Sequence, residues 1–500
     1  MWSTLLSIAA VPALAQALAV PNDNRVVQEH GLLRFPLEVS EGAPVVKNIT
    51  KRQSDIVLDD QRTGWFYTID LVLGTPGQTI KVNFDTGSSE LWVNPTCASA
   101  SDPAFCATFP RFTFSTTLID YGVQGSVTYG SGYVNFEYVG DYVNIGGAKV
   151  SQQIFGAAYD SQILNVGILG AGPDLSGWTS PYPFMIDSLL NQGFIKRRAF
   201  SLDIRSIEST RGSVIYGGLD TKKFSGHLEK RPIIPAASYW IKIDGISLTQ
   251  DDGTKDTLFS QVNGLSVLLD SGYTVSALPS SIFDILLAKF PTVQPIPNSA
   301  LYQVDCNVGE LKGSVDFTLG TTVIKVPYND FIWKQPQNNI CILGAYRDDA
   351  FPVLGDSFLR AAYVVYDWDD RAIHLANNVD CGSNLVPFPA GADGIPEYVG
   401  ECGDIQITTS EASTATSTAE STTESTTEST TEATTTAEST TESTTEATTT
   451  AESTTESTTE ATTTAESTTT SETESTTEAT TTAESTSPCR ARNNRPRRAY

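Results

Sequence analysis

The sequence predicts a mainly β protein built as two related lobes, and two observations carry that reading. Between about Gly64 and Leu385 the apolar residues alternate over short runs that end in clusters such as Gly74-Thr75-Pro76-Gly77. That is the pattern of half-buried strands and turns. Within the same stretch one arrangement occurs twice. An apolar run ends in Asp-Thr-Gly or Asp-Ser-Gly, and an apolar-apolar-Gly element follows later. The first copy is Phe84-Asp85-Thr86-Gly87-Ser88 with Ile168-Leu169-Gly170, and the second is Leu269-Asp270-Ser271-Gly272-Tyr273 with Val353-Leu354-Gly355. We place the lobes at residues 53–228 and 229–385. A chain of 500 residues is in any case too long for one small core.

The N-terminal end reads as export and processing. Leu5 to Val20 is apolar, Ala-rich and too short to span a bilayer, so residues 1–19 are expected to be a secretory signal peptide, although its basic n-region is missing. Residues 20–52 are polar and end in the dibasic pair Lys51-Arg52, the expected cleavage site of a pro-segment. That segment is expected to cover the cleft at neutral pH through basic residues such as Lys47. Asn48-Ile49-Thr50 is the single N-glycosylation sequon.

Strands are expected at 67–73, 80–84, 142–145, 214–216, 267–269 and 363–366, each a short alternating or fully apolar run. Helices are expected at 184–192 and 280–290, the second capped by Ser280. Residues 386–407 read as a linker. From 408 to 487 the chain is almost only Ser, Thr, Glu and Ala, with a recurring 14-residue unit. Without large apolar residues it cannot offset its ordering entropy, so a disordered, O-glycosylated stalk is expected. Residues 488–500 form a basic, polar end rather than the hydrophobic tail that a GPI signal needs.

Composition narrows the chemistry. A formal net charge of −26 argues against a nucleic-acid partner, although part of it belongs to the Glu-rich tail. Seven cysteines fit an oxidising compartment. Spacing suggests Cys97 with Cys106, Cys306 with Cys341 and Cys381 with Cys402, leaving Cys489 over, but six cysteines leave other connectivities open. None of these spacings resembles a zinc site, and no metal or other cofactor is expected. With three histidines, one of them (His30) in the pro-segment, and neither a Gly-x-Ser-x-Gly elbow nor a His-Glu-x-x-His helix, serine, cysteine and zinc hydrolase mechanisms lose their footing. Carboxylate chemistry remains, with Asp85 and Asp270 as the candidate pair. Two carboxyls brought within reach of each other share a proton at acidic pH and titrate as one unit. One can then take a proton from water while the other gives one to a carbonyl oxygen.

Further segments give the arrangement a family likeness: Glu90-Leu91-Trp92-Val93, Val127-Thr128-Tyr129-Gly130-Ser131-Gly132, and Pro352 to Arg360 followed by Ala362 to Asp367. Over roughly Gly64 to Asn377 the chain resembles the pepsin-fold aspartic proteases, most of all the fungal branch of candidapepsins and yapsins, which the short Cys97–Cys106 loop also resembles. The resemblance implies a bilobal fold and a secreted endopeptidase working on protein or peptide substrates in the inter-lobe cleft, as a monomer without a transmembrane segment. It further implies that Thr86 and Ser271 tie the two aspartate loops together and that Ser88 supports the outer oxygen of Asp85. Tyr129 would be the flap tyrosine, Trp92 its hydrogen-bonding partner, and Gly87, Gly130, Ser131 and Gly272 substrate-contacting positions. Tyr273 departs from the family, which has Ser or Thr there, so the acid/base balance of the pair is expected to shift. Two other readings of the chain are a catalytically silent binding protein on the same fold and, from the stalk, a wall or adhesion protein. Release from the cell is expected, with association at the cell surface as the alternative.

Overall fold

The computed structural model describes residues 26–41 and 65–403, apart from residues 30, 131, 392 and 396 and the segments 174–180, 207–210, 235–237 and 336–339. The predicted signal peptide, Lys47, the Asn48 sequon, Lys51, Arg52, Ser131, the Ser/Thr-rich stalk, Cys489 and the basic end lie outside the described residues.

The first half supplies strands β1 (Val27–Glu29), β2 (Leu32–Glu41), β3 (Trp65–Leu73), β4 (Gln78–Asp85), β5 (Leu91–Val93), β6 (Ile119–Thr128), β7 (Tyr133–Ile145), β8 (Ala148–Gln162) and β9 (Gly167–Gly170). β10 (Ala199–Asp203), β11 (Arg211–Tyr216), β12 (Gly218–Asp220) and β13 (Phe224–Pro232) lead into the second half. There follow β14 (Trp240–Thr249), β15 (Lys255–Leu269), β16 (Ser276–Leu278), β17 (Gln294–Pro295), β18 (Tyr302–Val304), β19 (Ser314–Leu319) and β20 (Thr322–Pro327). β21 (Trp333–Gln335), β22 (Ile340–Ile342), β23 (Ala345–Arg347), β24 (Val353–Leu354), β25 (Ala362–Asp367), β26 (Ala372–Asn378) and β27 (Leu385–Pro387) complete the set. One long sheet runs β13-β26-β25-β10-β11-β2-β3-β4-β9-β5-β8-β7-β6, and a second runs β20-β19-β14-β15-β24-β16-β23.

Period-two alternation decides which faces are buried. On β4 the side chains of Ile80, Val82 and Phe84 enter the core, and on β3 those of Ile69, Leu71 and Leu73 do the same. Between them Lys81 points outward and pairs with Glu38 at 2.6 Å and Asp70 at 2.8 Å.

The internal repeat predicted from sequence is a repeat of strand pairing. In the first lobe β4 lies parallel to β9, with Asp85 opposite Gly170, and β5 packs antiparallel on the other side of β9. In the second, β15 lies parallel to β24, and β16 pairs antiparallel with β24. Each apolar-apolar-Gly element thus sits between the strand that ends at an aspartate and the strand that follows the Asp loop. Glycine is required where that loop crosses. A methyl group on Gly170 would meet the Ser89 backbone at 2.4 Å, and one on Gly355 would meet the carbonyl oxygen of Tyr273 at 2.3 Å.

Three expectations need correction. Residues 32–41 are not merely a polar part of a pro-segment. β2 is inserted between β11 and β3, with Leu33, Phe35 and Leu37 buried. Arg34, also buried on β2, lies 3.9 Å from Asp220 and donates to Ser383. The sheet of the first lobe thus takes in a strand from upstream of residue 53. The second helix spans Ser280–Leu287, and Ser280 is inside it rather than capping it. Its N–H and hydroxyl are taken up by the Asp349 carboxylate at 2.7 and 2.6 Å. The other helix, Met185–Asn191, lies where it was expected. Residues 386–403 are no free linker either. β27 pairs with β12, and Phe388 and Ile395 are buried against Leu219, Phe224 and Tyr363. Cys381 and Cys402 bridge that segment to the body. The pairs Cys97–Cys106 and Cys306–Cys341 also form as their spacing suggested.

Candidate active site

Each candidate aspartate follows the last residues of a buried strand, so its side chain is delivered at the strand's end by a loop that cannot relax. Asp85 closes β4, and Asp270 immediately follows β15. The two loops are locked by a reciprocal set of hydrogen bonds across the interface of the lobes. Thr86 N–H donates to Ser271 Oγ at 3.1 Å, and Ser271 N–H donates to Thr86 Oγ1 at 2.9 Å. Each hydroxyl then donates onward, Thr86 to the Leu269 carbonyl at 3.1 Å and Ser271 to the Phe84 carbonyl at 2.8 Å. Both side chains are fully spent in this lattice, which fixes the carboxyls rather than reacting.

The carboxyl oxygens take up mirrored positions. Gly87 N–H donates to Asp85 Oδ1 at 2.9 Å, and Gly272 N–H donates to Asp270 Oδ1 at 2.7 Å. These two oxygens close on one point too tight for a side chain, since a methyl group on Gly272 would stand 2.8 Å from the first and 3.0 Å from the second. The symmetry ends at the outer oxygens. Ser88 Oγ donates to Asp85 Oδ2, whereas Asp270 Oδ2 is buried and has no hydrogen-bond partner among the described residues. Tyr273, where the resemblance called for a short hydroxyl, does not supply one.

Electrostatics follow from that asymmetry. Burial pushes the Asp85 carboxyl up from its ordinary value, against the opposing pull of Ser88, Gly87 and Asp270. Asp270 is pushed well above its ordinary value, first by burial and then by the facing Asp85 charge. Asp356 adds to it from behind. That residue is itself wholly buried and held well above the ordinary carboxylate range by desolvation, with Arg360 opposing. Its role had no sequence signal beyond its place after Val353-Leu354-Gly355. The arrangement favours one charged carboxylate, at Asp85, facing one protonated carboxyl, at Asp270.

The residues expected to form a flap lie at the turn between β6 and β7, with Trp92 reaching them from β5. Tyr129, at the end of β6, is buried, and its hydroxyl accepts from Trp92 Nε1 at 2.7 Å. Both rings pack with Val127, Val134, Phe136, Leu164 and Ile168. The turn is closed by Tyr129 N–H donating to the Gly132 carbonyl at 2.8 Å, which leaves Gly130 exposed at the tip. Among the described residues no group of three or more His, Cys, Asp or Glu side chains could hold a metal ion, and no helix is long and apolar enough to cross a membrane.

Comparison with known proteins agrees with this geometry. The family profile described as eukaryotic aspartyl protease matches residues 66–378. The probable aspartic-type endopeptidase OPSB of Arthroderma benhamiae is 29% identical over 461 residues, covering 83% of this chain and 89% of that protein. Candidapepsin-3 of Candida albicans is 31% identical over 327 residues, covering 62% of this chain and 79% of its own length. Among solved structures, the aspartic proteinase from Irpex lacteus superposes with a TM-score of 0.52 at 23% identity, over 63% of this chain and 94% of that one, a likeness of fold. Two carboxyls on mirrored, cross-bonded loops and a family match over more than half of the sequence lead to one conclusion: the chain belongs to the eukaryotic aspartyl protease family.

Proposed function

We propose that the protein is a secreted aspartic endopeptidase that hydrolyses peptide bonds at acidic pH with a water held between Asp85 and Asp270. The observation that carries this reading is the facing pair of buried carboxyls, both pushed toward the acid form by burial, Asp270 the more strongly and Asp85 held back by its hydrogen bonds. Asp85, charged, takes a proton from the water as its oxygen attacks the peptide carbonyl carbon, and Asp270 gives its proton to the carbonyl oxygen. The resulting gem-diol collapses when the nitrogen gains a proton from Asp85 and Asp270 recovers one from a hydroxyl. The C–N bond then breaks, with no covalent enzyme intermediate. Tyr129, held by Trp92, closes over the peptide, and the flap backbone pairs with it as with an added strand.

Export is supported by the apolar leader and by a relative from Candida albicans named secreted aspartic protease 3. Residues 20–52 act as a pro-segment cut after Arg52, the substrate lies in the inter-lobe cleft of a monomer, and the stalk displays the folded body. The test is peptide cleavage by processed protein between about pH 2 and 8, beside Asp85→Asn and Asp270→Asn. Acid-dependent cleavage abolished by either substitution is expected. Turnover that survives both would overturn the paired-carboxylate reading, and no turnover from folded, processed protein would favour the silent binding protein.

A further inference from the structure

Tyr273 occupies a place where its ring has two neighbours of opposite kind. Its backbone is rigid: Tyr273 N–H donates to the Asp270 carbonyl at 3.3 Å, its own carbonyl accepts from Asp356 N–H at 2.7 Å, and Gly355 packs directly against its Cβ. The ring is half-buried, resting on the edge of the core. Its hydroxyl extends away from that edge to the flap of the other lobe, 3.6 Å from the point a methyl group on Gly130 would occupy. The phenol has therefore left Asp270 Oδ2 without a donor and bridges the opening between the Asp270 loop and the flap tip instead.

We propose that Tyr273 is a specificity-determining residue of the cleft, whose ring fills the space between the Asp270 loop and the flap tip so that the substrate side chain lying there must be small. The inference rests on the endopeptidase reading and deepens it. A peptide laid against the flap takes a strand spacing of about 4.8 Å for its backbone. A phenol whose hydroxyl reaches to 3.6 Å from the point a methyl group on Gly130 would occupy leaves no room beside that backbone for a Leu- or Phe-sized group. Because the ring stands on a backbone clamped by Asp270, Asp356 and Gly355, accommodating a large side chain means rotating the ring away from the core edge it packs on.

The experiment profiles a peptide library with the full processed chain, its Tyr273→Phe variant and its Tyr273→Ser variant. At one cleft position wild type and Tyr273→Phe should prefer Gly, Ala or Ser over Leu or Phe. In Tyr273→Ser that preference should fall by about tenfold, through a lower KM for the bulky peptides. The same residue preference at every position in Tyr273→Ser overturns the proposal, as does loss of selectivity in Tyr273→Phe. If wild type cleaves nothing, the endopeptidase reading falls by itself. One small-residue and one bulky peptide are then titrated calorimetrically into wild type and Tyr273→Ser. Tighter binding of the bulky peptide by Tyr273→Ser supports the inference, and equal or absent binding in both overturns it.

Discussion

Ser88→Ala isolates the one hydrogen bond that distinguishes the two carboxyls. Ser88 Oγ donates to Asp85 Oδ2, and this bond holds the Asp85 carboxyl down against its burial. Asp85 and Ser88 are both buried, so solvent screening does little to weaken the bond. A hydrogen bond to a charged group contributes about 1.5–3 kcal/mol, and each pKa unit corresponds to about 1.4 kcal/mol. Removing the donor disfavours the anion, so the acid limb of the pH profile must move up, by about one unit once a water entering the vacated space is allowed for. The limb belongs to the pair, and its alkaline side, set mainly by Asp270, should move less. The assay is kcat/KM for one peptide across about pH 2 to 7, with circular dichroism at each pH to show that the fold is intact. At a pH one unit below the wild-type limb the variant should be about tenfold slower. A limb that stays in place or moves to lower pH, in folded protein, would refute the assignment of Asp85 as the charged member.

Three other outcomes are expected. Burial pushes His374 down from 6.5 to about 4, so the unfolded chain takes up a proton that the folded one refuses. Stability is complete above about pH 6.5 and falls as pH drops toward 4, by about 3 kcal/mol from this group. The melting temperature of His374→Gln minus that of wild type should therefore rise as pH is lowered through that window, and a constant difference would sink the idea. Replacing Cys381 and Cys402 by Ser opens a loop with a sequence separation of 21. That should cost about 3 kcal/mol in denaturant titrations, with peptidase activity persisting because the loop lies outside the aspartate site. Trp92→Phe leaves the buried Tyr129 hydroxyl without its donor. It should lower kcat/KM by roughly 5- to 30-fold, in line with about 1–2 kcal/mol for an unsatisfied buried group, and an unchanged value would remove Trp92 from the flap's support.

Much of the fold was legible because its repeat is written locally. The apolar run before Asp85 and the one before Asp270 are each a single strand, and the glycines of Ile168-Leu169-Gly170 and Val353-Leu354-Gly355 mark backbone crossings that nothing larger fits. What escaped was set by partners far away in the chain. Leu33, Phe35 and Leu37 alternate, but the stretch around them is polar enough that residues 20–52 read as a polar pro-segment. Only Asp220 and Ser383, brought across the sheet, show why Arg34 can be buried. Ser280 looked like a cap because Asp349, the group that takes up the free N–H, is distant in sequence. Tyr273 was visible as a departure, but the direction of its ring depends on a flap contributed by the other lobe.

The position of β2 changes what a cut after Arg52 would accomplish. Residues 33–38 are zipped to β11 and residues 38–41 to β3, in the middle of the long sheet rather than at its rim. Severing the chain downstream of such a strand does not remove it. It converts one polypeptide into a nicked pair held by main-chain ladders and by the buried Leu33, Phe35 and Leu37. Withdrawing the strand would expose two raw sheet edges at once and strand the Asp220 carboxylate without Arg34. The slot behaves as a keystone position that has to stay filled, whether by this strand or by another stretch of backbone, and maturation becomes a question of occupancy rather than of unveiling.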